Sequence, residues 1–355
     1  MKQRYYSLDV FRGATVAFMI LVNNPGSWAH IFSPLDHAPW HGCTPTDLVF
    51  PFFLFAVGNA LAFVMPKWEQ AGTAAFLKKV FRRSLLIFAI GLFLNWSPFV
   101  QWSGDQLLLK HWVNPDNPDS GIRILGVLQR IAISYFFASL IIYFAREKKA
   151  FVIGAILLLL YWWLCLALGT AGDPYSIDGW FGTAFDRAVL HVPHMYKGEG
   201  RPFDPEGLAS TLPAIVQVIL GYLVGLFIRE QGKRAATTAD AKWEMLARLL
   251  IVAILLVFVG FCWDMVFPIN KKIWTSSYVL YTTGLAIMVL GVIIYLTDIK
   301  EQKPAWSRFF VVFGKNPLFI FFLSGFLPRT LGLIRWTDHV GPDGKNIYTS
   351  PLPWF

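Results

Sequence analysis

Hydrophobic residues of this 355-residue chain are gathered in long blocks separated by short polar segments. Within the blocks the apolar residues run on without the alternation that is typical of a half-buried strand. A helix needs about 20 predominantly apolar residues to cross a bilayer, and several blocks reach that length. The pattern predicts an all-α fold, a polytopic transmembrane helical bundle. Nine spans are predicted, at residues 10–22, 48–65, 84–96, 124–145, 151–168, 208–228, 246–267, 276–297 and 309–327.

The composition supports a membrane protein, because only 15% of the residues are charged, against about 25% in soluble proteins. The net charge of +9 does not indicate nucleic acid as a partner, since the cations lie between apolar blocks and not on one soluble face. Basic residues concentrate in alternate loops, which predicts a cytoplasmic N-terminus. Residues 1–355 are expected to form one integral-membrane domain, with 169–207 as a long external loop. The loop after the first block then faces outward.

That first outer loop is the most informative segment, because polar groups at a membrane boundary are expensive unless they are paired or used. His37 is its candidate for proton transfer, although a loop histidine bound to a main-chain carbonyl is the simpler interpretation. A metal site built on His37 and His41 is disfavoured, because Pro39 and Gly42 interrupt any helix that would align the rings. No metal is therefore predicted. A thioester role for Cys43 is conceivable and also disfavoured.

The two ends of this loop carry further candidates. Asn23 and Asn24 close the first block, where they either cap the helix or offer amide groups to an oxyanion or a substrate. Asp47 follows Thr44 and Pro45 in a pattern that predicts a capping box. A carboxylate in that position can also hold a histidine in one tautomer.

Polar residues also interrupt two later blocks. Gln129 and Arg130 lie within the fourth block, and Lys315 and Asn316 lie within the ninth. Charged groups at that depth are expected to face a bundle interior or a wet cavity. They either fix helix packing through hydrogen bonds or line a polar path that holds an anionic ligand.

Three simpler patterns complete the set. Asp204 and Glu206 suggest a helix start, with Asp as N-cap, or carboxylates presented to a cationic substrate. Trp40 and other outward tryptophans suit sugar stacking, but a membrane-interface belt is the favoured interpretation. Asp9 and Arg12 are predicted to form an ion pair.

Seven motifs then occur in order between residues 7 and 325: SLDVFRG, LVNNPGSW, DHAPWHG, TPTDLVFPFFLFAVG, GVLQRIAISYF, DPEGLASTLPAIVQVILG and GKNPLFIFFLSG. Together they resemble the transmembrane acetyltransferases related to heparan-α-glucosaminide N-acetyltransferase and their bacterial relatives. The resemblance implies transfer of an acetyl group from cytosolic acetyl-CoA, as co-substrate, to the amine of a glucosamine-type sugar outside the cytoplasm. It also implies a catalytic His37, as general base or acetyl carrier, assisted by Asn23 and Asp47.

The remaining candidates are assigned to ligands on this basis. Acetyl-CoA is expected to contact Gln129, Arg130, Lys315 and Asn316. The acceptor is expected to contact Asn24, Trp40, Asp204 and Glu206. The expected partners are the lipid bilayer and an amino-sugar or glycan acceptor, with a homodimer left open.

Two departures from the resembled family bear on location. Lysosomal members carry an N-terminal luminal domain that does not precede the first span here, so the bacterial inner membrane is the expected location. Relatives are also expected to continue with one more span after residue 355. Two alternative functions stay open: a sugar or amino-sugar permease without chemistry, and an O-acyltransferase acting on exported glycans.

Overall fold

Ten α-helices dominate the computed structural model, which describes residues 5–25, 30–235, 239–340 and 346–349. Each of the nine predicted apolar blocks lies mainly in helical structure. The helices are α1 (Tyr6–Asn23), α2 (Val49–Ala71), α3 (Thr73–Trp96), α4 (Val127–Leu168), α5 (Phe181–Leu190), α6 (Thr211–Ala235), α7 (Ala239–Asp264), α8 (Ser276–Ile294), α9 (Ala305–Lys315) and α10 (Pro317–Leu331).

The predicted number of nine spans is not confirmed. Among the described residues, five helices are long and apolar enough to cross a membrane: α2, α4, α6, α7 and α8. The α9–α10 pair would add a sixth, but it bends by 82°. Neither α1 nor α3 reaches this standard, because α1 contains Asp9 and Arg12 and α3 carries four cations in its first half. The predicted ion pair between Asp9 and Arg12 is confirmed, with 3.0 Å between carboxylate and guanidinium.

The fourth and fifth predicted spans both lie in α4, which has 42 residues. At a rise of 1.5 Å per residue this would be about 63 Å long, roughly twice the hydrocarbon thickness of a bilayer. Arg146 interrupts it with a φ of 58°, so the chain breaks between two halves of about membrane length. The ninth predicted span is likewise broken, at Asn316 between α9 and α10.

Helix packing depends on glycines at close crossings. A Cβ on Gly221 of α6 would lie 2.2 Å from the Phe55 carbonyl oxygen of α2, and one on Gly58 would lie 2.1 Å from the Val218 oxygen. These two backbones can approach only because neither position carries a side chain. A core centred on α2, α4, α6 and α8 buries residues such as Leu54. The core therefore surrounds the first turns of α2, which follow the His37 loop.

The helices are joined at one end by loops that contact one another. Within the described ranges, this end also carries three two-stranded antiparallel pairs, β1–β2 (Val100–Ser103 and Gln106–Leu109), β3–β4 (Val113–Asn114 and Asn117–Gly121) and β5–β6 (Trp336–Val340 and Asn346–Thr349). We call it the histidine end, defined by residues 23–25, 30–47, 97–126, 169–210, 268–275, 332–340 and 346–349. The predicted long loop 169–207 contains α5. The further span was expected only beyond residue 355, outside the described residues.

Candidate active site

The loop between α1 and α2 ends in the predicted capping box, which the structure confirms. Pro45–Leu48 forms a short 3-10 turn that leads directly into α2. The main-chain N–H of Thr44 donates to Asp47 Oδ2 at 3.0 Å, and the N–H of Asp47 donates to the Thr44 carbonyl at 3.0 Å. The Tyr278 hydroxyl of α8 donates to the Asp47 carbonyl at 2.5 Å. Asp47 is therefore fixed from both its main chain and its side chain.

The second carboxylate oxygen of Asp47 is directed at His37. Its Oδ1 lies 2.7 Å from His37 Nδ1, and the Asp47 side chain is 1% exposed whereas that of His37 is 40% exposed. The N–H of Ala38 adds a hydrogen bond to Oδ2 at 3.1 Å. In a neutral imidazole this pairing puts the proton on Nδ1 and leaves the Nε2 lone pair free to accept a proton. The capping residue thus also orients the histidine.

Lys271 is the third polar member of the site, and the sequence reasoning missed it. Its Nζ lies 3.4 Å from Asp47 Oδ1, 3.1 Å from His37 Nδ1 and 3.4 Å from His37 Nε2. Burial lowers the pKa of Lys271, although the carboxylates of Asp47 and Glu206 act in the opposite direction. A signal was present in the sequence: the short loop 268–275 carries Lys271 and Lys272 on the predicted outer side, against the positive-inside bias.

His37, Lys271, Asn23 and Glu206 line one cavity of about 140 Å³. The rest of its wall is mostly apolar, with Thr46 as the other polar residue. Burial here strengthens electrostatic interactions and limits water. The cavity therefore brings together a candidate base, an amide donor, a carboxylate and an ammonium group around a small, largely apolar space.

Asn23 and Asn24 differ in their contacts. The Asn24 amide donates to the Ile20 carbonyl at 2.8 Å, which is the helix-end contact that the capping interpretation predicts. The Asn23 side chain is exposed to the 140 Å³ cavity and to an adjacent cavity of about 370 Å³ that Asn24 also lines. Asn23 thus borders both spaces, together with Val127 and Phe321.

Four cavities follow one another through the bundle, because each shares lining residues with the next. A cavity of about 190 Å³, walled mostly by apolar side chains, contains Arg12 and Arg83 and shares Phe321 with the His37 cavity. Phe321 also borders the 370 Å³ cavity. That cavity shares Arg123 with a space of about 610 Å³ beside the β1–β2 hairpin. This row of cavities reaches from the two arginines to the histidine end.

Glu206, which lines the His37 cavity, belongs to an ion-pair group with Asp204 and Arg123. The sequence singled out the two carboxylates but not Arg123. Arg123 donates to Asp204 Oδ2 at 3.0 Å through Nε and to Glu206 Oε2 at 2.5 Å. Burial acts to raise the pKa of Glu206, but the neighbouring Arg123 holds it below its usual value. Asp204 is fully buried in this pairing and lines none of the four cavities. The predicted helix start at Asp204 is wrong, because α6 begins at Thr211 and the preceding residues form a turn.

Arg130 is directed at the same turn. It is fully buried, donates to the Gly207 carbonyl at 3.1 Å and to the Ser210 hydroxyl, and lies over the Trp274 ring at 5.1 Å. It borders none of the four cavities, whereas its neighbour Gln129 lines the 370 Å³ cavity. These contacts place Arg130 in helix packing, so the two predicted acetyl-CoA contacts in α4 do not share a cavity.

The other predicted contacts lie away from His37. Lys315 and Asn316 are exposed at the break between α9 and α10, because the helix ends where a continuous span was assumed. Of the two expected surroundings, a bundle interior is excluded and a wet space stays a prediction. Trp40 donates to the Tyr175 carbonyl at 2.8 Å and packs against Phe203, which ties the loop to residues 169–207. The structure brings none of the three to the four cavities.

Two alternative chemistries find little support at this site. Among the residues that the structure describes, no three His, Cys, Asp or Glu side chains are grouped so that they could hold a metal ion. Burial raises the pKa of Cys43 to about 12. Since the thiolate is the nucleophilic form of cysteine, this argues against an acyl-thioester role for Cys43.

The chain has recognised relatives. A family model described as heparan-alpha-glucosaminide N-acetyltransferase, catalytic, matches residues 4–254. The human protein heparan-alpha-glucosaminide N-acetyltransferase is 27% identical over 367 residues, which cover 90% of this chain and 52% of the human protein. The mouse protein of the same name is 27% identical over 368 residues, covering 90% and 53%.

The chain spans about half the length of these curated relatives. The matched segment 4–254 includes α1, the His37 loop and the Arg123 ion-pair group, and ends before Lys271. Together with its long apolar helices, the match identifies an integral membrane protein. Because the family model covers well over half of the sequence, the chain belongs to the heparan-alpha-glucosaminide N-acetyltransferase catalytic family.

Proposed function

We propose that the chain transfers an acetyl group from acetyl-CoA on the cytoplasmic side to the amine of an amino sugar at the histidine end. The observation that carries this proposal is the His37–Asp47 pair on the cavity that Asn23, Glu206 and Lys271 also line. Family membership supports the reaction class. The sugar, its linkage and the membrane orientation belong to the proposal.

The row of cavities suits a long donor with a charged head and a thin arm. Arg12 and Arg83 flank the 190 Å³ cavity at the end away from His37, where guanidinium groups would meet phosphates. The mostly apolar wall beyond them suits an extended arm. Along α1, Arg12 and Asn23 are 11 residues apart, which is about 16 Å at 1.5 Å per residue. The donor therefore has only part of the bilayer to cross.

The chemistry follows from the geometry of His37. An amine attacks a thioester only as the free base, so a proton must leave the sugar ammonium before or during attack. His37 Nε2 would accept that proton, while the Asp47 carboxylate holds the ring through Nδ1 and stabilises the imidazolium that forms. The Asn23 amide would donate a hydrogen bond to the oxygen that becomes negative in the tetrahedral intermediate. Glu206 would attract the cationic acceptor to the cavity.

A covalent route through His37 uses the same residues in two steps. The imidazole would first accept the acetyl group and then pass it to the amine. Incubating the protein with acetyl-CoA alone and analysing peptides that contain His37 by mass spectrometry separates the routes. An acetylated His37 that disappears when acceptor is added supports the two-step route, and its absence under active conditions supports direct transfer.

The proposed function is tested with purified protein in proteoliposomes, acetyl-CoA on one side and glucosamine on the other. We expect acetylated amine by mass spectrometry, and none from His37→Ala. Acetylation of hydroxyl groups alone would reassign the chain to O-acyl transfer. Sugar uptake with no acetylated product and no acetyl-CoA binding would overturn the proposal in favour of a permease.

A further inference from the structure

Lys271 has a geometry that an ion-pair partner of Asp47 does not require. Its Nζ lies 3.1 and 3.4 Å from the two ring nitrogens of His37, closer on average than the 3.4 Å to the carboxylate. Its side chain is 19% exposed and lines the same 140 Å³ cavity as His37 and Asn23. Lys271 can therefore reach both the histidine and a molecule held in the cavity.

The neighbouring Lys272 provides an internal contrast. It pairs with Glu199 at 2.6 Å, donates to the Pro39 carbonyl at 2.8 Å and lies over the Trp40 ring. These contacts hold the loop to the outer segments, away from the cavity. Of two adjacent lysines, one is used to fasten the loop and the other is directed at the reacting space.

Acetyl transfer needs an acid as well as a base. When the amine nitrogen bonds to the thioester carbon and the carbon–sulfur bond breaks, the electron pair of that bond goes to sulfur. A thiolate leaving into a mostly apolar cavity is costly unless it is protonated as it departs. His37 is occupied at that moment with the proton of the amine, so a second group must supply the proton.

We infer that Lys271 is a catalytic residue of the proposed transfer and acts as the general acid for the departing thiolate. The inference rests on the proposed function. Once the ammonium proton has passed through His37 to solvent, the proton that the neutral amine loses on becoming an amide goes to His37 Nε2. A proton from the Lys271 ammonium goes to sulfur, and the C–N bond forms as the C–S bond breaks. The proton on His37 then returns to the neutral Lys271 across the contact of 3.4 Å, which restores both groups. Each turnover converts one ammonium and one thioester into one amide, one thiol and one proton released to solvent, and the protein returns to its starting protonation state.

The surroundings of Lys271 suit an acid that must give up its proton. Burial acts against the charged amine, which brings its pKa nearer that of a thiol. The carboxylates of Asp47 and Glu206 face the amine and favour its charged form between turnovers. An arginine in this place would keep the positive charge but could not donate a proton, since guanidinium does not deprotonate in proteins.

The test compares two acetyl donors that differ in the leaving group. One is the acetyl thioester of N-acetylcysteamine, an alkyl thiol, and the other is the acetyl thioester of a thiophenol of similar size, whose thiolate is more stable. Lys271→Gln and Lys271→Arg are assayed with both donors on glucosamine, and Lys272→Gln is the matched control. Loss of general-acid catalysis is expected to lower kcat with the alkyl donor by ~10²–10⁴. The aromatic donor should recover most of that loss in both Lys271 variants.

The outcomes are distinct from failure of the proposed function, which would show as an inactive wild-type protein. If the wild type is active and Lys271→Arg works normally with both donors, Lys271 serves only as a positive charge and the inference is overturned. Equal losses with both donors would also overturn it, because a residue that merely holds His37 in place is indifferent to the leaving group. Lys272→Gln should show the wild-type ratio between the two donors.

Discussion

Replacing Asp47 by asparagine keeps the size of the side chain and removes its charge. The carboxylate accepts from His37 Nδ1 at 2.7 Å, from Thr44 N at 3.0 Å and from Ala38 N at 3.1 Å, with Lys271 Nζ at 3.4 Å. An asparagine has one oxygen, so its NH₂ group must face donors on one side. We expect Asp47→Asn either to lose the hold on His37 or to loosen the turn at Thr44.

The magnitude follows from the hydrogen bonds. A hydrogen bond to a charged group contributes about 1.5–3 kcal/mol, and at least one to His37 is lost or reversed. At 1.36 kcal/mol per factor of ten, losing it from the transition state lowers kcat/KM by roughly 10–100-fold. Lys271 also loses its nearest carboxylate, which adds to the effect. If the amide instead turns its NH₂ group toward Thr44 and Ala38, the same energy is lost from the stability of the fold.

The assay measures kcat/KM for acetyl transfer and the Tm of the detergent-solubilised protein together. Asp36→Asn is the matched control, because the exposed Asp36 carboxylate accepts from the main-chain N–H of His37 at 2.8 Å and does not touch the ring. We expect the control to lie close to wild type in both measurements. An Asp47→Asn protein with wild-type kcat/KM and wild-type Tm would refute the orienting role of Asp47.

Three further predictions concern other residues of the histidine end. His37→Ala should lower kcat by ~10²–10⁴ while Tm changes little, because the side chain is 40% exposed; a large fall in Tm would indicate a structural role instead. Asn23→Ala should lower kcat by ~10²–10³, the usual effect of losing one oxyanion donor, whereas Asn24→Ala should act on Tm; the reverse pattern would contradict the assignment. Burial raises the pKa of Asp186 from 3.8 to about 7, so the folded protein holds a proton that the unfolded chain has already released. Stability is then present below about pH 4 and lost as pH rises to about 7, by up to roughly 4 kcal/mol. Asp186→Asn should raise Tm at pH 8 and leave it nearly unchanged at pH 4, and thermal unfolding at the two pH values checks this.

Local sequence patterns predicted the contacts that form between near neighbours. The capping box at Thr44 and Asp47 and the ion pair of Asp9 with Arg12 are three-residue spacings that a helix or turn enforces. The orientation of His37 by the same carboxylate was a reasonable extension, since a buried acceptor ten residues away has room for another donor. Long apolar blocks likewise predicted where helices lie. In lipid the backbone N–H and C=O groups must hydrogen-bond to one another, as they do within a helix.

The number of spans and the positions of breaks could not be predicted in the same way. Hydropathy measures length of apolar sequence, but it does not register a single residue with positive φ such as Arg146, or the turn at Asn316. The place of Arg130, away from the four cavities, could not be predicted for a related reason. A buried cation requires hydrogen bonds, and the sequence does not show that the Gly207 carbonyl and the Ser210 hydroxyl, about 80 residues away, supply them.

Lys271 shows what a distant contact adds to the chemistry. It is 234 residues from His37, so no spacing rule connects them. The positive-inside bias predicts few cations in the loops expected to lie outside, so a lysine there needs a local partner. For Lys272 that partner is Glu199, within residues 169–207. For Lys271 it is the Asp47 carboxylate, which already holds the histidine, so the lysine that the bias disfavours lies where the proposed transfer needs a proton.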